Sequence, residues 1–292
     1  MQFPVPLRRV IANKERPVAK SGKLYKISAV ITILLWGMLQ ALPQSKQPAL
    51  LPRTVQAKEP SLPPHLIQSV TAEDFYRGML AFDLTDCPVL AGKDRERASE
   101  NVRDSVVRIE MGNAYGSGVI FRLTEDGVII ATNRHVLDYW QDEAGVIRFP
   151  QGFYVSARSL GSAQSCDVGF LKVEGSEIGV ETLLTLRNVP VDEEAWQSLQ
   201  AGDEAFCLGA DREIDEIVYQ EAVVAEKGRY IDTFGGEMLY LHGFAKEGMS
   251  GGGIFDGYGH LIGLLAGGTW QNEVAGVPVD QIMAAYREIV GE

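Results

Sequence analysis

One serine in this chain is set out as a nucleophile would be. Ser250 lies in E-G-M-S-G-G-G-I-F, Glu247 to Phe255, with Gly248, Gly251 and Gly252 around it and an apolar run behind it. Glycines allow a tight turn with no Cβ between the hydroxyl and an incoming substrate. In such a turn the backbone N–H groups of Gly248 and Ser250 are available to a developing oxyanion, the preorganised electrostatics that acyl transfer needs. The same letters also fit a glycine-rich hairpin turn, so the serine needs partners before it means chemistry.

Four histidines are available, His65, His135, His242 and His260. G-x-S-x-G is also the turn on which α/β-hydrolases carry a serine, with the acid and then the histidine following it along the chain. Only His260 follows Ser250, ten residues on and at the head of the next apolar run. That is a poor place for a base, and a strand, turn and strand after Ser250 replace the helix such an elbow requires. Upstream, G-V-I-I-A-T-N-R-H-V-L (Gly127 to Leu137) is a β-branched run that ends in polar residues and His135, so a strand delivers the imidazole to a site edge. S-C-D-V-G-F-L-K-V (Ser165 to Val173) puts Asp167 at the head of another strand. Together these residues make a hydrolytic set. Ser250 would attack a carbonyl, His135 would take and return its proton at a pKa near neutrality, and Asp167 would fix the tautomer and stabilise the imidazolium.

The order His135, Asp167, Ser250 is that of the chymotrypsin-type proteases, and the chain resembles a trypsin-like serine peptidase of the bacterial HtrA/Deg type. The resemblance rests on Y-G-S-G-V-I-F (Tyr115 to Phe121), A-T-N-R-H-V-L, C-D-V-G-F-L-K-V and G-M-S-G-G-G-I-F-D-G-Y-G-H-L-I-G-L-L, and covers roughly residues 100 to 290. It implies an all-β fold of two Greek-key β-barrels of the chymotrypsin type, closed by a C-terminal helix, with His135 and Asp167 from one barrel and Ser250 from the other. It also implies an oxyanion hole at Gly248 and Ser250, and a substrate-binding lining of Phe244, Ala245, Leu264, Leu265 and Ala266. Phe244 then sits near the pocket base or in the core, and a small or medium apolar residue before the cut is favoured. No metal or other cofactor is implied.

Two positions depart from the wider family. Met249 stands where digestive members carry an aspartate, so activation through a newly cut N-terminus is not expected; Gly253 replaces a frequent proline or alanine. The implied function is an extracytoplasmic serine endopeptidase acting on polypeptide substrates, with envelope protein quality control as its setting. The alternative is a catalytically weak or inactive protease fold that binds peptides as a sensor or scaffold. HtrA-type proteins usually continue into a PDZ domain, whereas two residues follow the last helix here. Control is therefore expected in loops or in the first hundred residues. Assembly state is left open, an oligomer included.

The elements that must position this set are short strands punctuated by glycine turns, as in Greek-key barrels. They are expected at 105–111, 115–122, 127–132, 153–158 and 167–173 in the first barrel. The second takes 203–208, 217–226, 238–243, 252–255, 261–266 and 275–279. Apolar residues at 279, 282, 283, 286, 289 and 290 predict a closing helix over 279–290. The protease domain is placed at 105–292, after a mostly helical extension over 66–104 whose charged stretch Lys93 to Arg103 reads as a solvated helix.

Charge is divided along the chain. Residues 1 to 60 carry ten Lys and Arg against two acidic residues, a net of +8, and the remainder carries 17 against 37, a net of −20. The acidic part argues against nucleic acid as a partner. A basic segment, 1–26, precedes an uncharged apolar run, Ile27 to Leu42, ended by Pro43. As a helix that run spans about 24 Å against a hydrocarbon core of ~30 Å. Residues 27–43 are read as a transmembrane anchor or signal peptide, with the positive flank left in the cytoplasm. A linker rich in Pro, Gln and Ser, 44–65, follows. Three cysteines, Cys87, Cys166 and Cys207, give no disulfide framework. A Cys166–Cys207 pair stays open beside burial as small apolar residues.

Overall fold

The computed structural model describes residues 70–291 apart from 113, 143 and 270. The basic segment, the apolar run 27–43 and the linker 44–65 lie outside the described residues. Among the described residues no helix is long and apolar enough to cross a membrane.

The first barrel-like layer holds β1 (Val106–Met111), β2 (Ala114–Thr124), β3 (Gly127–Thr132), β4 (Val146–Arg148), β5 (Tyr154–Ser156), β6 (Arg158–Ser162) and β7 (Gly169–Glu174). Their hydrogen-bonded order is β5-β4-β1-β2-β3-β7-β6, a seven-stranded sheet. The expected closed first barrel is thus a curled sheet whose two ends are not joined by strand pairing. β3 is buried along its whole length and pairs with β2 on one side and β7 on the other, which explains its unbroken β-branched run. The second layer is a closed barrel, β10-β13-β12-β11-β8-β9. Its strands are β8 (Glu204–Asp211), β9 (Glu216–Ile231), β10 (Gly236–Gly243), β11 (Gly253–Asp256), β12 (Leu261–Gly268) and β13 (Glu273–Pro278).

Helices tie the layers together. α1 (Ala72–Ala81) starts in a capping box in which Thr71 Oγ1 accepts from the Asp74 N–H at 3.1 Å and Asp74 Oδ2 accepts from the Thr71 N–H at 3.0 Å. α2 (Arg95–Val102) corrects the solvated-helix expectation. Ala98 and Val102 have no exposure and belong to the main core, so the charged stretch is amphipathic in packing although its sequence hides it. Between α1 and α2 the chain is not helical; residues 85–94 run across the domain, bonded to Asn188 and to Gly257 and Tyr258. After α3 (Arg134–Leu137), α4 (Gly175–Ile178), α5 (Val180–Leu183) and α6 (Glu193–Ser198), the closing helix α7 (Val279–Val290) has the expected bounds. Tyr286 of α7 packs on Phe121 and Phe170 of the first layer at ring distances of 5.2 and 5.5 Å, so a helix that follows the second barrel seals the first. Cys87, Cys166 and Cys207 are all free thiols, and burial pushes Cys207 up to about 12.

Candidate active site

His135 sits in α3, one turn placed directly after β3, and Asp167 lies just before β7. Because β3 and β7 are paired, with Thr132 opposite Gly169, the two residues reach the same sheet end. His135 Nδ1 is 2.7 Å from Asp167 Oδ2, and the His135 backbone N–H donates to Asp167 Oδ1 at 3.0 Å. One carboxylate therefore fixes both the ring and its backbone. The aspartate side chain is 7% exposed and the imidazole 42%, and Nε2 is the ring nitrogen with no partner among the described residues. Asn133, fully buried, donates from Nδ2 to the Asp167 carbonyl at 3.0 Å and so fixes the backbone beneath the carboxylate.

Ser250 comes from the other layer, in the turn before β11. Its loop is pinned to the first layer by Ser117 of β2. The Ser117 N–H donates to the Ser250 carbonyl at 2.7 Å, its hydroxyl donates to the Gly248 carbonyl at 2.7 Å, and the same Oγ accepts from the Ala210 N–H at 2.7 Å. Gly251 has φ +85°, and a Cβ there would overlap the Ser117 carbonyl and Thr132 Oγ1. This close approach brings the Ser250 turn against Thr132, three residues before His135. The Ser250 hydroxyl itself donates to the Ala266 carbonyl at 3.4 Å; no hydrogen bond joins it to His135 among the described residues.

The two amides expected to hold an oxyanion are oriented by their peptide partners. A trans peptide places N–H opposite C=O. The Glu247 carbonyl, which shares its peptide with the Gly248 N–H, accepts from the Arg212 N–H at 3.1 Å. The Met249 carbonyl, paired in the same way with the Ser250 N–H, accepts from the Gly252 N–H at 2.9 Å. Both carbonyls are thus tied inside, and neither N–H has an acceptor among the described residues. Gly248 has φ +97°, and a Cβ on it would stand 2.6 Å from the Ala210 carbonyl oxygen, so the turn needs glycine at this position. Met249 is wholly buried. Gly253 also has a local reason, because a Cβ there would collide with the Phe255 ring, which stacks on Phe206 at 5.3 Å.

The expected substrate lining is only partly brought together. Leu264 and Leu265 are core side chains at 0% and 1% exposure, so neither lines a pocket; both faces of β12 are covered inside the domain. Leu265 reaches the site through its backbone, exchanging bonds of 2.8 Å with Gly251 and Gly252. Ala266 is nearly buried and offers its carbonyl to Ser250. Phe244 is neither pocket base nor core, since it is 53% exposed. Ala245 is partly buried, and its Cβ lies 2.9 Å from where a Cβ on Gly268 would stand, so the two walls approach closely. Ser117, Thr132 and Asn133 are the residues that sequence reasoning passed over. Their signal was present in Y-G-S-G and A-T-N-R-H, but their partners are distant in sequence.

A second His–Asp pair lies outside the cleft. His260 Nδ1 is 2.9 Å from Asp256 Oδ2, and Asp256 Oδ1 also accepts N–H bonds from Tyr258, Gly259 and His260. The Asp256 hydrogen bond holds the His260 pKa above 6.5, with burial opposing it. Cavities of about 340 Å³, beside His260 and Lys93, and about 630 Å³, around residues 88–101, lie away from Ser250. Among the described residues no cluster of three or more His, Cys, Asp and Glu could hold a metal ion.

Comparison with known proteins places the fold. No curated protein matches the sequence significantly. Among solved structures, a serine-to-alanine variant of the HtrA-type protease AlgW with a decapeptide superposes with a TM-score of 0.57 at 16% identity, over 68% of this chain and 67% of that one. AlgW with a tripeptide gives 0.59 at 17% identity, over 68% of this chain and 64% of that one. The inactive form of a serine-to-alanine mutant of Rv3671c from M. tuberculosis gives 0.53 at 17% identity, over 70% of this chain and 97% of that one. The chain thus spans about two thirds of the AlgW structures, and at these identities the likeness is one of fold. A family profile described as the trypsin-like peptidase domain matches residues 116–264, a span that holds His135, Asp167 and Ser250. On that match over half of its length, the chain belongs to the family of trypsin-like peptidase domains.

Proposed function

We propose that this protein is a serine endopeptidase that cleaves polypeptides through an acyl-enzyme on Ser250. The observation that carries the reading is the doubly held His135–Asp167 pair at the sheet end where the Ser250 turn approaches Thr132, a turn whose Gly248 and Ser250 amides are unspent among the described residues. With Nδ1–H donated to Asp167, Nε2 is the lone-pair nitrogen and takes the Ser250 proton as Oγ attacks the peptide carbonyl. The oxyanion then receives the Gly248 and Ser250 N–H groups, each worth about a hundredfold or more in rate. Collapse of the adduct passes the proton from Nε2 to the leaving amine, and water repeats the steps to release the acid.

Residues 266–268 of β12 extend past the pairing with β11, an open edge beside Ser250 on which an extended peptide can lie as an added strand. The close approach of Ala245 and Gly268 supports a shallow pocket and a small apolar residue before the cut. Strict cleavage after Arg or Lys in a peptide library would contradict that. The positive flank and apolar run at 27–42 support an extracytoplasmic location, checked by protease accessibility of the domain in intact spheroplasts.

The Ser250 hydroxyl directed to Ala266 rather than to His135 favours a second reading, a peptide-binding fold without turnover. Rotation about χ1 of Ser250 separates the two. Casein cleavage by wild type and by Ser250→Ala decides: the endopeptidase reading expects cleavage only by wild type, and equal background in both abandons it.

A further inference from the structure

The peptide that carries the Gly248 N–H is held by one neutral hydrogen bond, from the Arg212 N–H to the Glu247 carbonyl, and ends in a glycine at φ +97°. That is a weak restraint on a peptide whose reversal would remove an oxyanion donor. Charge reinforces it on both sides. Asp211, at the end of β8, is 1% exposed, yet its Oδ2 accepts from Lys246 Nζ at 2.5 Å. The next residue along each segment repeats the contact, with the Arg212 guanidinium paired to the Glu247 carboxylate and lying 5.3 Å from the Tyr115 ring centre. The two pairs are not equal. The two cations are alike, Arg212 at 43% and Lys246 at 48% exposed, but Glu247 is 74% exposed whereas the Asp211 side chain is 1% exposed, so water screens the Arg212–Glu247 pair on both sides and the Lys246–Asp211 pair on one. Lys246 also opens the turn itself, because its carbonyl accepts from the Met249 N–H at 3.2 Å and its N–H approaches Met249 Sδ at 3.4 Å. Met249, fully buried, adds packing to this turn and no charge.

We propose that Lys246 and Asp211 are positioning residues: their ion pair locks the 246–248 backbone onto the 211–212 backbone, so that the Gly248 N–H stays turned to the cleft. The charge that sets the oxyanion loop therefore comes from within the domain, from the end of β8. Asp211 further accepts from the Glu213 N–H at 2.8 Å, so the carboxylate organises its own turn as well as the loop. Lys246 is the cleaner residue to alter, since among the described residues its ammonium hydrogen-bonds to Asp211 alone and, at 48% side-chain exposure, lies outside the core.

The inference rests on the endopeptidase reading, and its test separates the two. Lys246→Met and Lys246→Arg are compared with wild type in peptide hydrolysis, in hydrogen–deuterium exchange across residues 244–252, and in thermal unfolding. Lys246→Met should lower kcat about tenfold or more with KM within about twofold, because a misplaced donor costs transition-state and not ground-state binding. Lys246→Arg should recover most of the loss. Exchange of the 244–252 amides should be faster in Lys246→Met alone, with Tm unchanged. Wild-type kcat in Lys246→Met, or a loss that follows Tm and that arginine does not rescue, overturns the proposal. If wild type hydrolyses nothing, the endopeptidase reading fails by itself and the exchange decides: faster exchange in Lys246→Met supports the lock, and equal exchange overturns it.

Discussion

Two His–Asp pairs occupy this molecule with nearly the same local geometry, Nδ1 to carboxylate at 2.7 Å for His135–Asp167 and at 2.9 Å for His260–Asp256. Their surroundings differ in every way that bears on chemistry. His135 and Asp167 come from separate elements 32 residues apart, and the imidazole is 42% exposed, at the sheet end where the Ser250 turn approaches Thr132. His260 and Asp256 are four residues apart in one hairpin, and the imidazole Nε2 faces a second carboxylate, Asp192, at 3.9 Å. In the proposed endopeptidase the carboxylate of the first pair holds a ring that gains and loses a proton. That of the second caps a turn by accepting three backbone N–H groups and raises the pKa of the ring it holds. A histidine bonded to an aspartate is therefore not a catalytic signature; what the other ring nitrogen faces decides its use.

Substitution should separate the pairs most sharply in turnover. His135→Ala should lower kcat/KM by about 10⁴-fold or more, as expected when one member of a concerted set is removed. His260→Ala, assayed beside it, should leave kcat/KM within about threefold, and a comparable loss in both would erase the distinction. Next in size is the contact that joins the layers at the first pair. Gly251→Ala, strained at φ +85° and overlapping Ser117 and Thr132, should cost about 3 kcal/mol or more in denaturant unfolding. Ser117→Ala should cost about 1–3 kcal/mol, because the Gly248 carbonyl and the Ala210 N–H lose their shared hydroxyl. It should also slow turnover, whereas no loss of the second pair should do so.

The smallest effect belongs to the second pair and is read against pH. The folded His260 pKa lies above the ordinary 6.5, so its contribution to stability is fully present below pH ~6.5 and is lost as pH rises through the folded value. The Tm advantage of wild type over His260→Gln should be greatest near pH 5 and should shrink steadily above neutrality. A constant difference across that range would show that the pair does not titrate with folding.

Much of this was legible beforehand, and the failures have physical causes. The closing helix was readable because one apolar stripe at helical spacing covers its whole length. β3 and β7 were readable because both are buried runs. β4 was passed over, since Val146–Arg148 is too short to show a period. β9 was cut short at residue 226 because its last residues, Glu226 to Ile231, form a ribbon with largely exposed faces and no alternation to read. In the site, His135, Asp167 and Ser250 were marked by residue type and chain order. Ser117 was not, because a buried hydroxyl carries meaning only through its partner, and Gly248 lies 131 residues away. Leu264 and Leu265 were misassigned to a pocket for a related reason: a strand's neighbours on both faces are a property of the barrel, not of the strand. Ala98 and Val102 of α2 were hidden among charged residues that reach solvent while the small apolar side chains pack beneath them.

The most direct test of the central claim is the mass of the purified domain after reaction with a fluorophosphonate, with the adduct mapped by peptide fragmentation. A nucleophilic Ser250 activated by His135 predicts one adduct per chain, located on Ser250, absent from Ser250→Ala and strongly reduced in His135→Ala. Wild type that labels no more than Ser250→Ala, or labels on another serine, would contradict it.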